Sequence, residues 1–294
     1  MKTASINLDP AFPPHFPDTF EYKMFKFNAG ESHIKFTNLN LEQYDAVRLT
    51  HRINSSENLM ELLLATDAVR QEAKRCHKEV SIDVIIPYIP YARQDRVMVA
   101  GEPFSLRVFA NIINAQNYHR VMCADPHSEA ASLLINNLEV LTPYWQLDAI
   151  RQLRYDFASK DFVLVSPDAG AMKKIYNTAK WVKYNGPILC ATKLRDVSTG
   201  NIIRTTVDMQ DVNLSESTAV IIDDICSGGR TFMELAKVLK ANGAKHVVLV
   251  VTHYENVANI FHMKESGVDA IYTTNSIKDL DGDIIKKFVK TYQL

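Results

Sequence analysis

The densest chemistry in the chain lies in Val220-Ile221-Ile222-Asp223-Asp224-Ile225-Cys226-Ser227-Gly228-Gly229-Arg230-Thr231, an apolar run that ends in two acids and passes through a glycine pair toward a helical stretch. Strand, tight loop and helix start in that order put backbone N–H groups and the positive end of a helix where a phosphate can sit. The hydroxyls of Ser227 and Thr231 add further donors. Two adjacent carboxylates beside a phosphate seat are wrong by charge alone. They make sense if they hold ribose hydroxyls or face a divalent cation. The bland alternative is a strand-to-helix turn with an aspartate cap, and the joint presence of the double acid and the double glycine argues against it.

Four other segments carry candidates. In Pro87-Tyr88-Ile89-Pro90-Tyr91-Ala92-Arg93-Gln94-Asp95-Arg96, Arg93 and Arg96 supply fixed charge and forked donors for a polyphosphate. Gln94 can read a base edge or a phosphate oxygen; the alternative is a solvated loop. His127, in Asp125-Pro126-His127-Ser128, follows an apolar run, and open α/β sheets bind ligands at the carboxyl ends of their strands. In Ser166-Pro167-Asp168-Ala169-Gly170-Ala171 one acid precedes three small residues that let the backbone approach a phosphate closely. Asp168 can equally cap a helix, and both roles use the same acceptor atoms. Lys193 and Arg195, in Cys190-Ala191-Thr192-Lys193-Leu194-Arg195-Asp196, project to one side if the segment is extended. Two cations can then clamp one migrating group from a flexible loop that continues through the polar stretch 197–201.

The elements that must position these groups follow from periodicity. Short, largely apolar runs at 82–87, 120–124, 161–166, 188–192, 219–223, 246–252 and 270–273 alternate with amphipathic stretches, the pattern of parallel strands joined by crossover helices, so the fold class is α/β. Most of these runs are apolar on both faces, as strands covered on both sides must be. Helices are expected over 58–78 behind Ser55 and Ser56, over 103–117 from Pro103, and over 231–241 before Asn242-Gly243. Two α/β halves emerge, split near 142–152 where Pro143 interrupts the pattern, and the domains are placed at 1–146 and 147–294. Runs 24–27 and 33–36 flank Asn28-Ala29-Gly30 and predict antiparallel strands at the edge of the first sheet.

Composition removes several classes of function. With 294 residues, 33 Lys+Arg and 34 Asp+Glu, the formal net charge of −1 gives no surplus toward nucleic acid. No basic-then-apolar leader opens the sequence and no uncharged apolar run approaches about 18 residues, so neither secretion by that route nor a membrane span is expected. Cys76, Cys123, Cys190 and Cys226 are dispersed, which fits neither a disulfide framework nor a thiolate zinc site and points to a reducing cytoplasm.

In this order, the segments resemble the ribose-phosphate pyrophosphokinases. Residues 220–231 are similar to the phosphoribosyl-pyrophosphate motif that this family shares with type I phosphoribosyltransferases, and alone they choose neither. Residues 87–96 look like the pyrophosphokinase ATP-site signature, and Asn58-Leu59-Met60-Glu61-Leu62 matches the helix start before it. Asp125-Pro126-His127-Ser128 resembles the family's Asp-Leu-His-Ala, and Lys193-Leu194-Arg195 resembles its catalytic Lys-x-Arg. The resemblance spans residues 24–274.

It implies two Rossmann-like, phosphoribosyltransferase-type domains, each with a mostly parallel sheet flanked by helices. It also implies transfer of the β,γ-diphosphoryl group of MgATP to the anomeric hydroxyl of ribose 5-phosphate, releasing AMP. Lys193 and Arg195 would be catalytic, and Phe27, Glu31, Arg93, Gln94, Arg96 and His127 would bind ATP. Asp168, Ala169, Gly170 and Ala171 would cradle the diphosphate, and His127 and Asp168 would attend Mg2+, the implied cofactor. Asp223 and Asp224 would hold the ribose, and Ser227, Gly228, Gly229, Arg230 and Thr231 its 5′-phosphate. Partners would be ATP, a phosphorylated ribose and further copies of the chain, as a dimer or hexamer.

Two departures bear on substrate choice. The family's phosphate loop reads Asp-Asp-x-x-Asp-Thr-Gly-Gly-Thr, whereas Ser227 here replaces the third acid and Arg230 the second glycine. One negative charge lost and one positive gained favour a bulkier or more anionic 5′ group, such as that of ADP-ribose, with plain ribose 5-phosphate the default acceptor by resemblance. Phe27-Asn28-Ala29-Gly30-Glu31 aligns with the family's Phe-Ser-Asp-Gly-Glu, so Phe27 can stack on a base but Ala29 cannot accept the hydrogen bond an aspartate would. The alternatives are a type I phosphoribosyltransferase with an unrelated first half, and a regulatory paralogue without catalysis.

Overall fold

A computed structural model of the chain describes residues 1–157, 162–195, 202–209, 211–215, 217–280 and 283–294; the side chains of residues 195, 202, 203, 257, 283 and 284 fall outside it. The chain forms two compact units, Met1–Thr142 and Pro143–Leu294. Both are α/β.

In the first unit the elements run β1 (Thr3–Asn7), β2 (Tyr22–Lys26), β3 (Ser32–Phe36), β4 (Ala46–Thr50), α1 (Ser56–Arg75), β5 (Ser81–Ile85), α2 (Ser105–Asn114), β6 (Arg120–Cys123), α3 (Glu129–Leu134) and β7 (Leu138–Val140). Strands β1-β4-β5-β6-β7 pair in that order, all parallel. Helix α1 starts where Ser55 accepts the Asn58 N–H at 3.1 Å, and it buries Leu62, Ala65, Val69 and Ala73 on the sheet. The expected start of α2 at Pro103 moves to Ser105, with Phe104 at the cap.

The β2–β3 hairpin does not sit at the edge of this sheet as expected; it forms a separate two-stranded sheet in which Met24 faces Ile34. The edge beside β4 is already taken by β1, and β3 instead packs on α1, where Ile34 joins the core. The sheet also carries a charge cluster. Arg48, Asp83 and Arg120 stand side by side across β4, β5 and β6, and the Asp83 side chain is only 1% exposed. Asp83 lies 3.4 Å from Arg48 and 2.9 Å from His119, and it accepts from Arg120 as well. Burial pushes its carboxyl up, and those donors more than offset the push, so the pKa stays below the usual value.

The second unit runs α4 (Tyr144–Asp156), β8 (Phe162–Ser166), a 3-10 turn (Ala169–Ala171), α5 (Met172–Trp181), β9 (Ile188–Arg195), β10 (Ile202–Val207), β11 (Thr218–Cys226), α6 (Arg230–Ala241), β12 (His246–Tyr254), α7 (Ile260–Glu265), β13 (Ala270–Thr274), α8 (Asp283–Phe288) and β14 (Val289–Tyr292). The sheet order is β10-β9-β8-β11-β12-β13-β14, parallel except for β10 against β9. Alternate residues serve two cores. Phe162, Leu164, Val220 and Ile222 face α4 and α5 with Trp145, Leu153 and Ile175, while Val163, Val165, Ile221 and Leu249 face α6 and α7 with Leu235, Leu239 and Met263.

The winding reverses between β8 and β11. From β8 the chain crosses through α5 to β9 on one side, and from β11 it crosses through α6 to β12 on the other, although β8 and β11 are hydrogen-bonded neighbours. At such a reversal the helices diverge and leave a crevice at the carboxyl ends of the strands. Among the described residues no helix is long and apolar enough to cross a membrane.

Candidate active site

The reversal in the second unit gathers most of the expected residues. Asp168 follows β8 in extended conformation and caps the 3-10 turn, accepting the Ala171 N–H at 3.2 Å. Ser166 steadies the bend by donating to the Asp168 carbonyl at 2.6 Å. Lys193 reaches across from β9 with its ammonium 2.7 Å from Asp168 and its side chain 8% exposed. Burial raises the pKa of the Asp168 carboxyl; the Lys193 ammonium and the N–H groups of Ala171 and Gly170 outweigh it and hold the group below the usual carboxylate range. The segment carrying Lys193 is extended, but it belongs to the strand β9 rather than to a loop, because β10 returns antiparallel and pairs Thr205 with it. The side chain of Arg195 and residues 196–201 lie outside the described residues.

Next to Asp168, β11 carries the twin aspartates. The strand does not end at the acids; it continues to Cys226, since β12 pairs with it as far as Tyr254. Asp224 is 4% exposed and its N–H donates to Asp223 Oδ1 at 2.9 Å. Burial pushes the Asp223 carboxyl well above the usual range, and the neighbouring Asp224 adds to the shift.

Ser227 and Gly228 then turn the chain, with the Gly228 carbonyl held by Asn259 Nδ2 at 2.6 Å. Gly229 caps α6 with φ +74°, a conformation that disfavours any residue with a Cβ, and its carbonyl accepts from Phe232 and Met233 at 3.0 Å. A cap without a side chain leaves the space before the first turn, at Arg230 and Thr231, to an incoming anion.

Two contributors escaped the sequence reading. Asn259 sits before α7, and Lys174 sits on α5 with its ammonium 3.2 Å from Asp224. A Lys173-Lys174 step in a helix reads as solvated surface. The available signal was its place on the helix that opens at the Asp168 loop.

In the first unit the other expected segments come together at adjacent strand ends. Ala124 N–H donates to the Pro87 carbonyl at 3.0 Å and Tyr88 bridges to Asp125, so the stretches after β5 and β6 are tied to each other. Gln94 N–H donates to Tyr91 at 2.8 Å, and the Gln94 carbonyl accepts the N–H of Leu106 at the start of α2. Arg93, Gln94 and Arg96 are exposed. Arg96 grips Asp95 through two bonds of 2.8 and 3.0 Å; the guanidinium lowers the Asp95 pKa against some burial, with a smaller contribution from the His127 ring. Arg96, Asp95 and His127 therefore share one field.

His127 N–H donates to Asp125 at 3.0 Å, and both His127 and Tyr91 hold left-handed backbone, φ +64° and +62°. Such strain costs about 1–3 kcal/mol per residue and collects at functional positions. Phe27 and Glu31 close the β2–β3 hairpin, where Phe27 is 54% exposed and its ring lies 5.3 Å from Phe25 and 5.5 Å from His33.

Among the described residues no three His, Cys, Asp or Glu side chains form a metal cluster. Magnesium carried in with ATP needs none, because it takes most of its oxygens from phosphate and water and one or two from carboxylates. Asp168 offers one such carboxylate; His127 lies in the other unit.

Residues 18–116 match the N-terminal domain of ribose phosphate pyrophosphokinase. That match overturns the transferase alternative, which required an unrelated first half. The ribose-phosphate pyrophosphokinase of Thermosipho africanus is 31% identical over 229 residues, 76% of this chain and 67% of its own. Ribose-phosphate pyrophosphokinase 2 of Archaeoglobus fulgidus is 31% identical over 229 residues, 77% of this chain and 75% of its own. In architecture the chain is similar to phosphoribosylpyrophosphate synthetase from Mycobacterium smegmatis, with a TM-score of 0.77, 20% identity and coverage of 100% of this chain and 95% of that one. With residues 18–116 matching the family's N-terminal domain and relatives 31% identical over 76% and 77% of its length, the chain belongs to the ribose-phosphate pyrophosphokinase family of diphosphotransferases.

Proposed function

We propose that the protein moves the β,γ-diphosphoryl group of MgATP to the anomeric hydroxyl of a 5-phosphorylated ribose, with AMP as the other product. The observation that carries this reading is the grouping of Lys193, Asp168, Asp223, Asp224 and the Gly229 helix start around one strand reversal. Phosphoryl transfer asks little covalent chemistry of a protein and much alignment and charge neutralisation. Lys193, with Arg195 beside it in sequence, would meet the charge that develops on the migrating group. The N–H groups of 169–171 would hold its oxygens, and Asp168 would supply a carboxylate to magnesium when MgATP is bound. Asp223 and Asp224 would accept the ribose hydroxyls, and 227–231 would receive the 5′-phosphate. Arg93, Gln94, Arg96 and His127 would bind the nucleotide. Phe27 and Glu31 on their separate hairpin would serve the nucleotide site of a neighbouring copy, which makes the working form a homo-oligomer.

We further infer that the acceptor is a ribose with an extended 5′ substituent, such as ADP-ribose, ahead of plain ribose 5-phosphate. The support is Ser227 in place of an acid, the exposed Arg230, and open space around Gly228, where an added Cβ would meet nothing within 4 Å. Incubation with MgATP and each acceptor, read by product mass and steady-state rates, tests both statements. Exclusive turnover of ribose 5-phosphate removes the extended acceptor, and absence of AMP with both acceptors removes the reaction.

A further inference from the structure

Two lysine–aspartate pairs lace the crevice. Lys193 of β9 meets Asp168 in the loop after β8, and Lys174 of α5 meets Asp224 of β11, so one pair ties β9 to that loop and the other ties α5 to β11. Of the four residues, Lys174 alone is not one that the family resemblance singles out.

The second pair has a particular geometry. Successive residues of β11 alternate between faces, and Asp224 falls on the face of Val220 and Ile222, which is covered by α5. Lys174 lies one turn into that helix, next to buried Ile175, with its side chain 29% exposed against 6% for Asp224. A carboxylate this deeply buried, with a second one adjacent in the chain, loses its solvation and repels its neighbour. A cation at 3.2 Å compensates both. The helix that brings this cation starts at the 3-10 turn capped by Asp168, so one continuous segment connects the small-residue loop with the acid pair.

We infer that Lys174 is a positioning and specificity residue of this site: it holds Asp224 aimed, so that the aspartate pair can accept the hydroxyls of a vicinal diol on the sugar acceptor. This rests on the proposed reaction for the identity of the acceptor, and it goes beyond that reading by assigning a role to a helix residue outside every motif. Lys174 acts through its contact with Asp224, so its effect falls on acceptor binding and leaves nucleotide binding alone.

The test uses the full chain and the variants Lys174→Met, Lys174→Arg, Asp224→Asn and the double variant Lys174→Met/Asp224→Asn. Steady-state KM is measured for ribose 5-phosphate, ADP-ribose and ATP, and calorimetric titration with ribose 5-phosphate and ADP-ribose reports binding without turnover. Lys174→Met should raise KM and Kd for the acceptor about tenfold or more while ATP KM stays within about twofold, and Lys174→Arg should recover most of the loss. In the Asp224→Asn background the Lys174→Met change should have little further effect, because its target is gone. The double variant removes both charges of the pair, which keeps the comparison readable if Lys174→Met alone unfolds. Unchanged acceptor KM and Kd in Lys174→Met, equal changes for acceptor and ATP, or full additivity with Asp224→Asn overturns the role of Lys174. Wild-type protein that binds an acceptor in calorimetry but forms no AMP overturns the reaction instead, and the binding comparison still decides Lys174.

Discussion

Gly228 and Gly229 are neighbours in the same loop, yet the structure assigns them different tolerances. At Gly229 the backbone has φ +74°, and a Cβ would lie 3.0 Å from Met263 Sδ. Met263 is fully buried and has little room to yield. The left-handed conformation costs an L-residue about 1–2 kcal/mol, and crowding a packed core costs about 1–3 kcal/mol. The lower entropy of the unfolded chain returns about 0.4–1 kcal/mol. Gly229→Ala should therefore destabilise the second unit by roughly 2–4 kcal/mol, which for a unit of this size lowers Tm by about 4–16 °C. Gly228 has no positive φ, and its Cβ would meet nothing within 4 Å, so Gly228→Ala should stay within about 0.5 kcal/mol of the parent. Thermal melts followed by circular dichroism measure both variants under one condition. Titration with inorganic phosphate then asks whether the helix start still binds an anion once Gly229→Ala has moved it. Two variants melting within about 1 °C of each other would refute the reasoning, since it rests wholly on the contrast between them.

Lys193→Ala should lower turnover about a hundredfold or more, with a Tm loss of only a few degrees because its partner Asp168 is 46% exposed; unchanged steady-state turnover rejects the catalytic assignment. Asp83 has a folded pKa below its unfolded value, so its contribution to stability is present above about pH 4 and disappears as pH falls through the folded value. Melts between pH 2.5 and 7 should show that acid limb flattened in Asp83→Asn, and an unaltered limb contradicts the assignment. The raised pKa of Asp223 predicts that acceptor binding tightens as pH climbs through a value above the normal carboxylate range. Asp224→Asn, by removing a like charge, should move that inflection to lower pH, and a KM–pH profile with the inflection unmoved argues against it.

Legibility in the sequence followed burial. Strands β8, β11 and β12 are covered on both faces, so each is built on an apolar run (162–165, 219–222 and 247–251) that could be read directly. Strands β1 and β4 were missed because Thr3, Ser5 and Arg48 break the pattern; Ser5 is buried, and Arg48 is accepted only because Asp83 stands opposite it one strand away. The hairpin was recognised but misplaced, since nothing local states that its Ile34 will find α1 rather than a strand partner. In the site, Asp168, Lys193, Asp223, Asp224 and Gly229 announce themselves as acids, a cation and a glycine at strand ends. Lys174 does not, because its function depends on which side of β11 the helix covers, a fact that belongs to the tertiary arrangement.

The reversal between β8 and β11 also orders events during folding. These two strands are hydrogen-bonded neighbours, but roughly fifty residues, including the whole β9–β10 excursion, intervene between Asp168 and Asp223. Closing so long a loop is entropically slow, so helices and local turns mature while the crevice is still unmade. On dilution from denaturant, recovery of the proposed activity should lag behind recovery of helical signal, and on the ribosome the crevice cannot close until β11, in the last third of the chain, has emerged.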